Sequence, residues 1–423
     1  MKNIGRNIAW LIAERGLQVL GALVITALMA RALGPADFGL FQYAQSLVFV
    51  ASALTMVCGA EVLVPRLTKA ITAGQPTHVV QLMRQGLGLR LMGAAAAYTG
   101  LMVWCALRPE TPTVLLLCAV LGLSLWLREP SGVVIAWSQA QTHNRPVVLI
   151  HSVALGLKLL WVGLVCAQGW ASPVVLAALL AGESAFVAML LWRHFARHAM
   201  PQACAVTDHR ASFTELTDLA RQGLVYFAGL LGMMLMRRLD QIMLKHQTDL
   251  DTLGTYAAAM QITDHVLLLA SLIAAAAAPQ LAYAVKDHRK ARRNILGLSL
   301  ALTAVGTLLA VLLSLLAPFI VRVIYGQAFA ATVSLLQWSA WLAPLAFAEA
   351  GLNLGLLRQH LARQVAIKWL SAAGVTAVVN TLTLPAMGTL GALTGLACGL
   401  GTAILFSLRG LHSQDLPHQE QTA

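Results

Sequence analysis

The chain has 423 residues, of which 58% are hydrophobic and only 11% are charged, and its mean hydropathy is +0.73. Soluble domains carry about 25% charged residues, so this composition excludes an ordinary soluble protein and indicates a polytopic membrane protein. The net charge of +12 requires no nucleic acid partner, because basic residues collect in the loops on one side of a bilayer and meet anionic headgroups there.

The amino-terminal stretch has some features of a secretory signal, since Lys2 and Arg6 precede a long apolar run. That run is too long for a signal, and the adjacent charges of Glu14 and Arg15 interrupt it. A signal core tolerates neither property. We therefore predict that the first span is retained.

Apolar runs between Pro, Gly and charge breaks predict about twelve transmembrane helices, because about 20 helical residues cross a bilayer core. All predicted outward loops are short, which leaves no room for the large external domain that an enzyme acting on lipid-linked sugars needs. The predicted spans are 8–30, 40–64, 86–107, 112–138, 147–168, 172–194, 219–245, 254–280, 294–321, 331–357, 364–385 and 388–409.

Lysine and arginine set the expected orientation. The loops on the other side carry few basic residues, and the positive-inside rule therefore places both termini in the cytoplasm. The second half of the chain shows the bias clearly, because its predicted cytoplasmic side receives Lys286, Arg289, Lys290, Arg292, Arg293, Arg358, Arg363 and Lys368.

The longest connection, residues 195–218, is predicted to be a cytoplasmic linker between an N-lobe (1–194) and a C-lobe (219–410), followed by a polar tail (411–423). The linker region is rich in histidine, but a solvated linker is favoured over a metal site. Five of the six cysteines lie in apolar spans without metal-ligand spacing. No metal site is predicted.

Residues 38–67 and 253–281 look like two copies of one segment, about half a chain length apart. Each begins with a short motif that contains Gly and an aromatic residue, runs through an apolar span and ends at a proline, Pro65 or Pro279. An apolar chain that repeats itself at half its length resembles a two-lobed secondary transporter.

Prolines within spans predict bending points, since proline removes a backbone hydrogen bond and permits a kink. Pro130 and Pro344 occupy matching spans of the two halves and are the hinge candidates. For Pro65 and Pro279, simple helix termination is an adequate interpretation.

Several charged residues fall at membrane depth, where each costs about 2.5–3.5 kcal/mol on insertion scales and usually faces a cavity or a partner. Lys158 is either neutralised by Glu183 or lines a polar cavity, and the cavity is favoured; Arg237 and Asp240 share a helix face and can pair. The basic residues predict a cationic lumen suited to phosphate or carboxylate groups: Arg15, Arg128, Lys158, Arg237 and Arg238.

Two stretches, residues 30–44 and residues 238–244 with 253–259, resemble signatures of the polysaccharide-flippase (Wzx-type) branch of the MOP superfamily. The likeness extends through 318–326 and 384–395. It implies an all-α integral membrane protein of two pseudo-symmetric six-helix lobes around a central cavity. Such proteins move undecaprenyl-pyrophosphate-linked oligosaccharides from the cytoplasmic to the periplasmic leaflet of the bacterial inner membrane by alternating access, for O-antigen, capsule or exopolysaccharide synthesis.

The resemblance also sets the expected partners: the lipid-linked substrate, membrane lipids, a polysaccharide polymerase and chain-length proteins. No cofactor is expected, and no Walker motif is present. Whether a proton or sodium gradient drives transport is left open, with the candidate carriers Glu14, Glu61, Asp240 and Asp264.

Two alternatives to the flippase are kept. One is a multidrug or metabolite exporter of the same fold. The other is a membrane-embedded enzyme, either a polysaccharide polymerase or an acyltransferase, which predicts a long outer loop with clustered Arg, His or Asp residues. The sequence favours a transporter over an enzyme because its predicted outer loops are short.

Overall fold

The computed structural model describes the backbone of residues 2–108, 110–198, 213–285, 287–359 and 361–412. It describes the side chains of these residues too, except those of 2–15, 17, 213–216, 218, 222 and 412. The described backbone is almost entirely helical and contains no strand. This confirms the all-α prediction.

Seven helices lie in the described residues of the first half of the chain. A short 3-10 turn, Ala53–Cys58, follows the first of them. The helices are α1 Lys2–Ser52, α2 Ala60–Thr72, α3 Pro76–Leu107, α4 Pro112–Ala140, α5 Arg145–Ala167, α6 Pro173–His198 and α7 Phe213–Leu244.

Six further helices lie in the described residues of the second half. A π-helical turn, Pro279–Tyr283, extends the first of them, and a 3-10 turn, Gln327–Phe329, precedes the third. They are α8 Leu250–Ala278, α9 His288–Ile324, α10 Thr332–Ser339, α11 Leu342–Arg358, α12 Ala362–Met387 and α13 Thr389–His412. Asp249 caps α8 by accepting a hydrogen bond from the Thr252 amide, which lowers the pKa of the Asp249 carboxyl.

Within the described residues, 11 helical segments are long and apolar enough to cross a membrane. The first of them, Gln18–Thr72, is 55 residues long and combines the first two predicted spans. These two spans are joined at Gly34, whose φ of 74° is left-handed and breaks α1 directly before Pro35. The fold prediction of about twelve helices is confirmed, and the cytoplasmic placement of the termini stays a prediction.

The repeated segments differ in structure more than their sequences suggest. In the first copy, α1 ends at Ser52, and α2 begins only after Gly59 and continues through Pro65 to Thr72. The interpretation of Pro65 as a helix terminator is therefore wrong. In the second copy, α8 is continuous and ends directly before Pro279, where the π-helical turn begins.

The chain divides into two compact units, residues 1–227 and 228–423, and the division falls inside α7. The first unit has a core around Leu63, Leu67 and Leu191. The second has a core around Ile295 and Phe347. The predicted lobes 1–194 and 219–410 stay a prediction; residues 199–212 of the linker and 413–423 of the tail lie outside the described part.

Helices α12 and α13 of the second unit pack closely along a row of glycines on α13. Gly391, Gly395 and Gly399 recur every four residues along α13, and a Cβ at any of them would collide with α12. Thr376 of α12 donates a hydrogen bond to the Gly395 carbonyl at 3.1 Å. Small residues at such a spacing let membrane helices approach closely, and this fixes the position of α12.

Candidate functional site

The second unit contains a cavity of about 610 Å³ among α7, α8, α11, α12 and α13. Most of its wall is apolar, as Met233, Met260, Leu267 and Leu396 illustrate. Its polar lining side chains include Arg237, Asp264, Ser271, Tyr283, Glu349 and Asn353. Its size lies within the usual range of ligand pockets, about 300–1,000 Å³.

Two arginines of α7 share one carboxylate of α8 at the cavity. Nη2 of Arg237 lies 2.8 Å from Oδ1 of Asp264, and Nη2 of Arg238 lies 3.1 Å from Oδ2. The Arg237 side chain remains 30% exposed, whereas that of Asp264 is 12% exposed. The predicted pairing of Arg237 with Asp240 along α7 is thus replaced by a pairing across two helices. Asp240 also interacts electrostatically with both arginines, so the cluster holds two arginines and two carboxylates. Arg237 is its basic member in the cavity lining.

Asp240 points away from the cavity into the protein. Its Oδ2 accepts a hydrogen bond of 2.6 Å from the hydroxyl of Tyr256 on α8, and both residues are fully buried. Because the polar partners lie on adjacent helices, the bond ties α7 to α8. The candidate role of Asp240 as an ion carrier stays a prediction.

Lys368 of α12 is fully buried and forms the second charged cluster at the cavity. Its Nζ lies 2.6 Å from Oε1 of Glu349 and 2.6 Å from Oδ1 of Asn353, both on α11. Lys368 thus lies within a helix, inside the predicted span 364–385, and its placement on the cytoplasmic side stays a prediction. The sequence did contain a signal that Lys368 is buried and paired. Its neighbours Ile367, Trp369 and Leu370 are apolar, and the preceding span holds a lone Glu349.

The first unit holds another buried cation that the sequence reasoning did not single out. Arg90 of α3 is 4% exposed. Its Nε donates to the Cys58 carbonyl at 2.9 Å and its Nη1 to the Glu129 carbonyl at 2.7 Å. These carbonyls lie at the break before α2 and beside Pro130, so Arg90 satisfies backbone groups where the helices are interrupted.

The other predicted basic residues occupy different environments. Lys158 of α5 forms an ion pair of 3.0 Å with Glu183 of α6, and both side chains are largely buried. The neutralising partner considered for Lys158 is thus present. Arg128 is exposed on α4, and Glu61 is exposed in the first turn of α2. Glu14 and Arg15 lie on α1, with side chains outside the described part.

The sequence matches the family described as polysaccharide biosynthesis protein over residues 4–285. The chain belongs to this family. No curated protein sequence matches it.

Solved structures place this polysaccharide biosynthesis protein in the fold of the MOP superfamily. It superposes on an inward-facing multidrug resistance MATE family transporter with a TM-score of 0.67 and 14% identity, over 94% of this chain and 96% of the other. It superposes on the lipid II flippase MurJ, inward closed, with a TM-score of 0.71 and 11% identity, over 96% and 87%.

A MOP superfamily transporter from Pyrococcus furiosus, described as having a binding pocket of reverse polarity, is also similar. Its TM-score is 0.54 at 13% identity, over 96% of this chain and 94% of the other. At such low identities these likenesses establish the fold of a multi-pass membrane protein.

The two hinge candidates of this family member lie in unlike surroundings. Pro130 is buried inside α4, which continues on both sides of it. Pro344 lies in the first turn of α11, directly after the short connection that separates α10 from α11. The predicted span 331–357 is thus two helices, and the bending role of both prolines stays a prediction.

Metal chemistry has no evident site in the part of the chain that the structure describes. No group of three or more His, Cys, Asp or Glu residues there is arranged to hold a metal ion. The cavity lining is suited to binding. It offers an apolar wall for hydrocarbon or ring surfaces, the guanidinium group of Arg237 for an anion, and hydrogen-bonding groups for hydroxyls or amides.

Proposed function

We propose that this protein is a flippase that moves undecaprenyl-pyrophosphate-linked oligosaccharides from the cytoplasmic to the periplasmic leaflet of a bacterial inner membrane by alternating access. The match to the polysaccharide biosynthesis protein family over residues 4–285 carries the proposal. The MOP fold, which it has in common with MurJ, is consistent with the flipping of a lipid-linked sugar.

The charge at the cavity supports an anionic substrate group. Arg237 is partly exposed in the cavity lining, and its carboxylate partner Asp264 is shared with Arg238. A pyrophosphate brings more negative charge than one carboxylate, and arginine binds its oxygens through paired N–H groups. Arg237 is therefore the residue of the second unit that we assign to the pyrophosphate.

Arg15, Arg128 and Lys158 remain proposed members of the basic substrate path in the first unit. Among them, Arg128 has an exposed guanidinium. Lys158 already has Glu183 as a counter-ion, which makes it the weakest of the three assignments.

A multidrug exporter is the second candidate, because the MATE transporters share the fold. Exporters of cations need carboxylates that are free to bind positive charge. Here the two carboxylates of the lining, Asp264 and Glu349, each contact a basic side chain, which favours the flippase.

Complementation of a flippase-deficient bacterial host tests the proposal, with surface polysaccharide as the readout and membrane expression as a control. The wild-type chain is expected to restore polysaccharide when the host makes a matching lipid-linked sugar. Arg237→Ala and Arg128→Ala are expected to lose most of this activity. Arg322→Ala, an exposed arginine in the last turn of α9, is the matched control and should retain it.

Two outcomes would count against the flippase. If no lipid-linked sugar of a defined series supports polysaccharide synthesis while the protein confers resistance to cationic drugs, the exporter is favoured. If Arg128→Ala and Arg237→Ala both work as well as Arg322→Ala, the basic path is wrong.

Coupling to an ion gradient is a separate part of the proposal, with Glu14, Glu61, Asp240 and Asp264 as the carriers to test. Proteoliposomes with an imposed proton or sodium gradient would be assayed for movement of a fluorescent lipid-linked sugar. Replacement of the true carrier by its amide should abolish the dependence on the gradient. Asp37→Asn, an exposed carboxylate on α1, is the control.

A further inference from the structure

The buried Lys368 cluster forms one end of a mixed aromatic and polar patch on the cavity wall. Glu349 and Asn353 are one turn apart on α11, and both line the cavity. Trp369, the next residue after Lys368 on α12, lines it as well. Gly232 of α7 packs directly against the α12 backbone at Trp369 and Leu370, which brings α7 close to this part of α12.

Lys368 fixes the orientation of the two polar side chains. Its ammonium group donates one hydrogen bond to Oε1 of Glu349 and another to Oδ1 of Asn353, each 2.6 Å long. The second oxygen of Glu349 and the amide nitrogen of Asn353 are then left for a ligand: an acceptor beside a donor on one helix face. The Lys368 ammonium also lies 4.6 Å from the centre of the Trp369 ring. Since Lys368 is fully buried, it acts on a ligand only through Glu349, Asn353 and one face of Trp369, and is a positioning residue.

The patch has no net charge that would attract an ion. Glu349 and Lys368 sum to zero, and Asn353 and Trp369 are neutral, so neither an anion nor a cation gains net Coulomb energy here. An adjacent acceptor and donor match neighbouring hydroxyl or acetamido groups. An indole provides a flat apolar surface for the C–H face of a ring.

We propose that Trp369, Glu349 and Asn353, positioned by Lys368, form a subsite for an uncharged sugar ring in the cavity of the second unit. The proposal rests on the proposed flippase function and adds to it that two sides of the cavity bind different parts of the substrate. The Arg237–Arg238 side of the cavity binds the anionic linkage, and the Trp369 side binds a neutral sugar of the same substrate.

The test uses two short-chain probes and the full-length protein in detergent. The probes are farnesyl pyrophosphate and farnesyl-pyrophosphate-linked N-acetylglucosamine, with tetraphenylphosphonium as a cationic comparison, and Kd is measured by calorimetry. Trp369→Leu and Asn353→Leu are each expected to weaken binding of the sugar-linked probe about fivefold to tenfold, the equivalent of one hydrogen bond, while leaving farnesyl pyrophosphate unchanged. Trp369→Phe, which keeps a ring, should retain most of the affinity.

Trp338→Leu is the matched control, because Trp338 lies on α10, is 61% exposed and is not part of the cavity lining. Thermal unfolding of each variant checks folding, and Trp369→Phe or Asn353→Ser replaces any variant that fails to fold. If the variants weaken both farnesyl probes equally, or neither, the sugar subsite is wrong and the flippase proposal stands. If the wild type binds neither farnesyl probe, or binds only tetraphenylphosphonium, the flippase proposal fails and the subsite with it.

Discussion

Lys368 and Glu349 form an ion pair of 2.6 Å between α12 and α11, with the lysine side chain fully buried and that of the glutamate 9% exposed. An ammonium group at this depth is stable only because Glu349 and Asn353 surround it with acceptors. The pair therefore joins the two helices that carry the polar end of the cavity.

Replacement of Lys368 by methionine should destabilise the protein strongly. The change leaves the Glu349 carboxylate buried without its cation, at a cost of about 3–5 kcal/mol. The double variant Lys368→Met, Glu349→Gln should recover much of this loss. Thermal unfolding in detergent measures both, with the exposed Lys69→Met of α2 as control. Equal unfolding temperatures for Lys368→Met and Lys69→Met would contradict the buried pair.

Arg90 should be essential for the stability of the first unit. Arg90→Met removes two charge-assisted hydrogen bonds to the Cys58 and Glu129 carbonyls and should cost about 2 kcal/mol or more. Arg90→Lys should rescue only part, because one ammonium cannot reproduce the guanidinium fork. Arg84→Met, an exposed arginine on the same helix, serves as the control and should unfold like the wild type.

The Lys158–Glu183 pair can be tested by exchange. Lys158→Glu alone places two carboxylates together and should reduce surface polysaccharide in the complementation assay. The exchange Lys158→Glu, Glu183→Lys restores an opposite pair at the same place and should recover activity. Persistent loss in the exchanged protein, at normal expression, would instead assign the lysine itself to the substrate path.

Two glycines of α13 should respond in opposite directions to the same substitution. A Cβ at Gly395 collides with the Asn380 side chain of α12, whereas at Gly401 it meets open space. Gly395→Ala should destabilise by about 1–3 kcal/mol through overpacking. Gly401→Ala should be neutral or stabilise by up to about 1 kcal/mol through helix propensity. Equal effects on the unfolding temperature would refute the close packing of α12 on α13.

The sequence by itself determined the class of fold. A low charged fraction and apolar runs of bilayer length indicate a chain embedded in a membrane, where no water is available to the backbone and a helix satisfies its hydrogen bonds within each span. The family signatures in residues 30–44, 238–244 and 253–259 lie in segments whose helices the structure confirms. Gly34-Pro35 could be recognised as a break, because proline disfavours a helical conformation at the residue before it, and glycine tolerates the left-handed φ found at Gly34.

Only the tertiary structure decided which charges meet. Arg237 pairs with Asp264 and Lys368 with Glu349, 27 and 19 residues away along the chain, and no local pattern specifies such pairings. A lysine near a predicted span end looks like a loop residue until the neighbouring helix supplies its carboxylate. The reason is physical: composition and periodicity report what one helix prefers, whereas the burial and pairing of an ion depend on the helices packed around it.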